Sequence, residues 1–297
     1  MNVVRWGVAL SNPYRLTSGV KQGSVISPTL FAVYVDDMLL KLQKHGGSVF
    51  GLNLGALMYA DDLVLLSPSR YELQEMINIC TEELALLDLK LNVAKTVILK
   101  IGKRSNISSA SIQIDHTEIQ WAEEAKYLGI YICRAQRFKC NFEKIKAKYY
   151  RASNAILGKL GGIDSSCATV HLMATISLPI LTYSIEALSL NATELLKLDH
   201  PWCRTFMKIF STFDNTVIKQ CQYFTSVLPI GYYYIIRKVT FIKNLLFTNN
   251  VVILTLYNTV AKSEISTCAV KFKCEEQNFN WKYRSRVHDH FKSELGL

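Results

Sequence analysis

The sequence is most constrained at residues 58–66. Two short apolar runs, 55–59 and 63–67, are separated only by Ala60-Asp61-Asp62. So short a gap between strand-like segments predicts a tight antiparallel hairpin. Two adjacent carboxylates then sit at its tip, where like charges repel unless a cation offsets them. Mg²⁺ suits such a tip, because it is held by one or two carboxylates with waters and substrate phosphates. Alternation along a strand lets one Asp take the ion while the other supports it. A plain Asp-Asp turn is the simpler alternative, since Asp favours turns. Taken alone, the hairpin leaves both open.

The surrounding pattern predicts an α+β fold. Ser27-Pro28 reads as a helix start, with Ser as cap and Pro in the first helical position. Leu30, Phe31, Val35, Met38, Leu39 and Leu42 recur at helical spacing until Gly46-Gly47. A second helix is predicted over 69–87, with Leu73, Met76, Ile77, Cys80, Leu84 and Leu87 inward. Residues 96–101 are β-rich, 111–114 and 118–121 flank Asp115-His116 as another hairpin, and 127–132 read as a further strand. Beyond Ile132 the better candidates are helices at 141–160, 166–178, 193–210 and 234–247, while 262–297 is polar and ambiguous. The division falls after Ile132, giving 1–132 and 133–297.

Charge follows the same division. Of 34 Lys+Arg and 24 Asp+Glu, residues 1–132 hold 12 and 13, and residues 133–297 hold 22 and 11. In 141–160, Phe142, Ile145, Tyr149, Ala152, Ile156 and Leu160 form an apolar stripe, and Lys144, Lys148 and Arg151 fall at i, i+4 and i+7 on another face. A near-neutral half with paired carboxylates beside a basic helical half suits a protein that handles a polyanion. A solvated lysine-rich helix face has the same composition.

Several classes are set aside. An apolar content of 49% with ordinary charge density excludes wholesale disorder. No stretch reads as a bilayer span of about 20 apolar residues, and the first residues do not read as a secretory signal. The expectation is an intracellular protein, cytoplasmic or nuclear, with no membrane partner and reduced cysteines. Cys268, Cys274, His288 and His290 lack structural-zinc spacing. Cys167 and His171 read as core residues, and Tyr232-Tyr233-Tyr234 as packing aromatics rather than a base-stacking platform.

Four motifs together carry a resemblance. Residues 19–31, GVKQGSVISPTLF, resemble the template- and nucleotide-binding motif of reverse transcriptases from non-LTR (LINE-like) retrotransposons. Tyr59-Ala60-Asp61-Asp62 resembles their catalytic box, Leu91-Asn92-Val93-Ala94-Lys95-Thr96 the next motif, and Tyr127-Leu128-Gly129 the primer grip. Their order and approximate spacing make the set far more specific than any one member. The resemblance implies a partial polymerase palm at 1–132 and a basic thumb and connector at 133–297. It implies an RNA template, a DNA primer and deoxynucleoside triphosphates as partners, with Mg²⁺ or Mn²⁺ as cofactor.

The resemblance also assigns roles. Asp61 and Asp62 hold metal for two-ion nucleotidyl transfer, and Lys95 protonates the departing pyrophosphate. Lys21, Gln22 and Gly23 contact template or nucleotide, the glycine permitting close backbone approach. Tyr59 and Ala60 contact template, primer or nucleotide, Tyr127, Leu128 and Gly129 hold the primer end, and Lys144, Lys148 and Arg151 meet the duplex. One departure stands out: no Asp or Glu precedes Asp36, so the family's upstream catalytic aspartate has no counterpart. The expectation is a truncated reverse transcriptase, unable to polymerise alone unless an upstream segment is supplied. The alternative is a non-catalytic nucleic-acid-binding remnant.

Overall fold

The computed structural model describes residues 2–15, 23–160, 165–264, 266 and 281–296. Two compact units result, Met1–Glu123 and Glu124–Leu297. The break precedes the composition boundary because the strands on either side of residue 128 belong with the helices that follow them.

In the first unit a small ribbon, β1 (Arg5–Trp6) with β2 (Ala9–Leu10), precedes helix α1 (Ser27–Leu42). Ser27 is the first helical residue rather than the cap; Ile26 holds the cap position and offers no side-chain bond. Helix α1 buries Val35, Met38 and Leu42 but leaves Leu30 exposed, so its buried stripe is narrower than the sequence pattern. A tight ribbon, β3 (Ser48–Val49) and β4 (Leu52–Asn53), leads into the hairpin of β5 (Ala56–Tyr59) and β6 (Asp62–Leu65). Helix α2 (Arg70–Leu86) follows, capped by Ser69, whose hydroxyl accepts the Glu72 N–H at 3.1 Å. Met76, Cys80 and Leu84 pack with α1 and with Ala56, Met58, Leu63 and Leu65 of the hairpin.

A second small core lies behind α2. There β7 (Ile98–Leu99), the hairpin β8 (Ile112–Ile114) and β9 (Thr117–Ile119), and β10 (Trp121–Ala122) gather Ile98, Ile112, Ile114 and Ile119 around Ile77. The turn Asp115-His116 has φ of 46° and 65°, the paired left-handed conformation that suits the twist of a two-residue hairpin. Burial pushes the Cys80 thiol of α2 up to about 12, so this cysteine acts as an apolar filler.

The second unit opens with a hairpin where a single strand is expected. Chain β11 (Glu124–Tyr127) turns at Leu128-Gly129, with φ of 42° and 87°, into β12 (Ile130–Cys133). A bundle follows: α3 (Glu143–Leu160), α4 (Ser166–Leu172), a π-helical turn Met173–Ser177, α5 (Leu178–Leu181), α6 (Ala192–Phe210), α7 (Asn215–Phe224) and α8 (Ile230–Leu245). Its core is Ile145 and Tyr149 of α3 with Val170, Met173, Leu181, Leu198, Trp202 and Phe206. Cys167 and His171 are exposed, contrary to the core reading, because α4 turns Thr169 and Val170 inward instead. Helices α9 (Val251–Leu256) and α10 (Trp281–Glu294) complete the described chain, α10 packing Tyr283, Val287 and Phe291 against α8. Tyr233 and Tyr234 bond backbone groups of Leu228, Leu188 and Leu190, in keeping with a packing role.

The protein is α+β, but its strands form six separate two-stranded ribbons among the described residues, five antiparallel and one, β7 with β10, parallel. One ribbon edge is occupied by a side chain: Gln74 of α2 donates to the Gln113 carbonyl and accepts its N–H, both at 2.8 Å. No helix among the described residues is long and apolar enough to cross a membrane.

Backbone contact fixes the entry to the hairpin. A Cβ on Gly55 would lie 2.3 Å from the His45 carbonyl oxygen and 2.9 Å from Gly46 Cα. Those are backbone atoms and cannot rotate away. Gly55→Ala is therefore expected to lower stability by about 2 kcal/mol, read as a lower urea midpoint, whereas Gly47→Ala, with no atom within 4 Å of its new Cβ, should cost far less.

Candidate active site

The two carboxylates occupy different parts of the hairpin. Asp61 is in the two-residue turn, and Asp62 begins β6 directly opposite Tyr59. Ala60 carries a φ of 54°, a left-handed conformation strained by about 1 kcal/mol or more for a residue with a Cβ. Strict alternation therefore ends before the tip, and the strand-face argument applies to Asp62 alone. Along the ribbon, Ala56, Met58, Leu63 and Leu65 face the core; Leu57, Tyr59 and Asp62 are exposed, Tyr59 at 64%. The strands are thus buried on one face only.

Four contacts at the hairpin base hold the tip in place. The Leu66 N–H donates to the Gly55 carbonyl at 2.7 Å, and the Gly47 N–H to the Leu66 carbonyl at 3.3 Å. Glu72 accepts the Gly46 N–H at 2.9 Å and the Ser67 hydroxyl at 2.8 Å. The Ser67 hydroxyl and the Gly46 N–H hold the Glu72 carboxyl below the usual carboxylate range. Asn53 ties the end of α1 to the same point, donating to the His45 carbonyl at 2.8 Å and accepting the Gly55 N–H at 2.7 Å.

The oxygen-only donor pair at the tip matches the preference of Mg²⁺ or Mn²⁺ for hard ligands. Asp61 and Asp62 are exposed and make no ion pair among the described residues. No third Asp, Glu, His or Cys among the described residues joins them in a metal-sized group.

The other sequence candidates are distributed as follows. Lys95 is exposed in the turn before β7, its N–H accepted by the Asn92 side chain at 3.1 Å. Lys21 and Gln22 lie outside the described residues; Gly23 is described, with a φ of 81°. Tyr127, Leu128 and Gly129 belong to the second unit, where they form the β11–β12 turn. A Cβ on Gly129 would sit 2.7 Å from the Tyr183 ring, and the Tyr183 hydroxyl donates to the Leu128 carbonyl at 3.2 Å. The glycine therefore has a local packing reason.

On α3, Lys144, Lys148 and Arg151 are all exposed, with Ile145, Tyr149 and Ser153 buried behind them. Lys144 is not an isolated cation. Its ammonium pairs with Glu124 and lies 4.4 Å from the Tyr131 ring centroid. The hydrogen bond from Lys144, joined by one from Asn141, lowers the Glu124 carboxyl below its ordinary range, and the same pair raises Lys144. Lys148 and Arg151 make no ion pair among the described residues.

Sequence reasoning overlooked Glu72 and Asn53, which build the hairpin base. The spacing Ser69-x-x-Glu72 is a capping-box signature, yet the carboxylate reaches Gly46 and Ser67 instead, a long-range partner that local pattern does not encode. Also overlooked was the basic stripe His200, Arg204 and Lys208 on α6.

Because Glu72 titrates lower in the folded chain than its ordinary 4.5, its contribution is fully present above that pH and is lost as pH falls through the depressed value. Urea midpoints taken from pH 7 downward should therefore fall below pH 4.5, and Glu72→Gln should flatten that limb. Glu124, shifted in the same direction, keeps part of the slope.

Comparison with known proteins finds sequence similarity over part of the chain. Residues 5–132 match the model of the reverse transcriptase (RNA-dependent DNA polymerase) family. The chain is 34% identical over 149 residues to the Pol polyprotein of the type-2 retrotransposable element R2DM of Drosophila melanogaster. That match covers 47% of this chain and 14% of the relative. An R2 element Pol polyprotein of Nasonia vitripennis is 32% identical over 126 residues, covering 39% of this chain and 12% of the relative. A transposon-derived protein of Caenorhabditis elegans is 28% identical over 160 residues, covering 51% and 56%. The chain thus spans a small fraction of the R2 polyproteins it matches.

Proposed function

Taking residues 5–132 as a reverse transcriptase segment of the non-LTR retrotransposon kind, we propose that Asp61 and Asp62 are its metal-holding carboxylates. The observation that carries this reading is the Tyr59-Ala60-Asp61-Asp62 turn, held at an exposed tip by a backbone clamp inside the matched segment. When bound there, a divalent ion would supply the charge neutralisation that phosphoryl transfer needs. The protein's own part is positional. Tyr59, opposite Asp62 on the exposed face, offers a ring against which a primer-terminal sugar can rest. Lys95 is the proposed proton donor to pyrophosphate, and Lys21, Gln22 and Gly23 the template-side contacts.

The palm and thumb labels belong to this proposal as well: residues 1–132 as the partial palm, 133–297 as thumb and connector. Tyr127, Leu128 and Gly129 would serve the primer strand from the β11–β12 turn. Of the three α3 cations, Lys148 and Arg151 are the better phosphate contacts, because Lys144 would first have to leave Glu124. The substrates proposed are an RNA template, a DNA primer and deoxynucleoside triphosphates.

Asp36 is the first acid in residues 1–297, and it lies exposed on α1. No Asp or Glu within residues 1–35 takes the place of the upstream aspartate that two-ion transfer in the family uses. Purified 1–297 with primed RNA, deoxynucleotides and Mg²⁺ should show no extension above background. Extension that disappears in Asp61→Ala would overturn that expectation. Mn²⁺ broadening of hairpin amide resonances, lost in Asp61→Asn with Asp62→Asn, tests the ion site without requiring turnover.

A second reading is favoured by the charge of the second unit. Residues 124–297 hold 23 Lys+Arg and 12 Asp+Glu, enough to bind nucleic acid without catalysis. If Lys148 and Arg151 each meet a phosphate, their joint replacement by Gln should reduce the log–log salt slope of duplex binding by about 1.4 to 1.8. An unchanged slope would remove them from the interface.

A further inference from the structure

We infer that the groove between α3 and α6, within the second unit, is a binding site for single-stranded nucleic acid. Two adjoining depressions share Arg204 and Lys208. One, about 220 Å³, lies between the helices and is lined by Tyr150, Ser153 and Asn154 among others. The second, about 640 Å³, continues along α6 past His200 to Met207 and Phe213. No Asp or Glu lines either.

The walls are fixed by bonds between the two helices. At the floor, the Tyr149 and Thr205 hydroxyls meet at 2.5 Å, both residues buried. At the rim, Lys208 Nζ donates to Asn154 Oδ1 at 3.0 Å. That acceptor is neutral, so the lysine charge stays uncompensated. His200, Arg204 and Lys208 make no ion pair among the described residues. Ser153 is 3% exposed and lines the smaller depression.

The chemistry selects a phosphodiester strand whose bases are free. Arg204 presents a planar guanidinium and Lys208 a point charge, the two cations suited to phosphate oxygens. Beside them Phe213 is 87% exposed, an aromatic that packing does not use. Cations interleaved with exposed rings are the pattern of single-strand binding, in which bases stack while the backbone follows the charge. A duplex keeps its bases stacked inside and presents a convex cylinder, so it cannot place a base against Phe213 within a concavity. On α3, Tyr150, Asn154 and Leu157 line the groove at i, i+4 and i+7.

The test is fluorescence anisotropy of the full chain with a labelled uridine oligomer of about 12 nucleotides, repeated across a salt series. Arg204→Gln with Lys208→Gln should weaken binding roughly tenfold and reduce the salt slope by about 1.4. Phe213→Ala should weaken binding about fivefold or more with an unchanged slope, since stacking releases no counterions. Phe213 is so exposed that its truncation does not threaten the fold. Unchanged affinity in either variant overturns the proposal. So does an equal loss of binding to a blunt RNA duplex of the same length, which would make the groove a duplex contact, and so does equally effective competition by polyglutamate. The outcome is independent of primer extension, so the catalytic reading and this one can fail separately.

Discussion

The close approach of two backbone segments, Gly46 and Gly55, is the constraint on which the acidic hairpin depends. Their α-carbons are so near that neither position accepts a side chain without backbone overlap. That contact brings the end of α1, the start of β5 and the end of β6 to one point. There the Leu66 N–H bonds the Gly55 carbonyl, and Glu72 reaches over from α2 to take the Gly46 N–H. A four-residue ribbon with one solvent-facing side is marginal alone. Clamped at its base and packed on α1 and α2, it presents two adjacent exposed carboxylates at a fixed place.

The second unit solves a different problem, which is how to display many cations on a compact body. Its core is rich in large apolar residues, Trp202, Phe206, Tyr149 and Met173 all fully buried, so the basic residues are left to the helix surfaces. Some of that charge is spent internally. Lys144 pairs with Glu124, and Arg237 grips Glu186 with two nitrogens at 2.8 and 2.9 Å. The cations on α3 and α6 that make no ion pair among the described residues are therefore more informative than the net charge, because charge within an ion pair contributes little to the field a polyanion meets. The same principle separates Lys148 and Arg151 from Lys144 within one helix.

Much of the secondary structure was legible because it rests on local periodicity. The hairpin tip, α2 and the long helices α3 and α6 lie within a few residues of their expected positions. Misreadings occurred where a neighbour distant in sequence decided the outcome. Residues 127–132 look like one strand, yet Leu128 and Gly129 both take positive φ so that the chain can fold back over Tyr183. Cys167 and His171 sit on an apolar stretch but face outward, because the buried stripe of α4 runs through Thr169 and Val170. Helix α10 was unreadable since, among its described side chains, the buried face rests on three, Tyr283, Val287 and Phe291.

The sequence by itself determined the chemistry available: an Asp-Asp pair between strand-forming runs, the order of four polymerase-like motifs, and a basic excess confined to the helical part. These are properties of residue type and spacing, which survive without coordinates. Only the tertiary structure decided which groups are spoken for. It showed that Glu72 and Asn53 brace the hairpin, that Lys144 is paired while Lys148 makes no ion pair among the described residues, and that Arg204 and Lys208 border a groove with Phe213. The physical reason is that hydrogen bonds and ion pairs join residues tens of positions apart, and no local pattern records who meets whom.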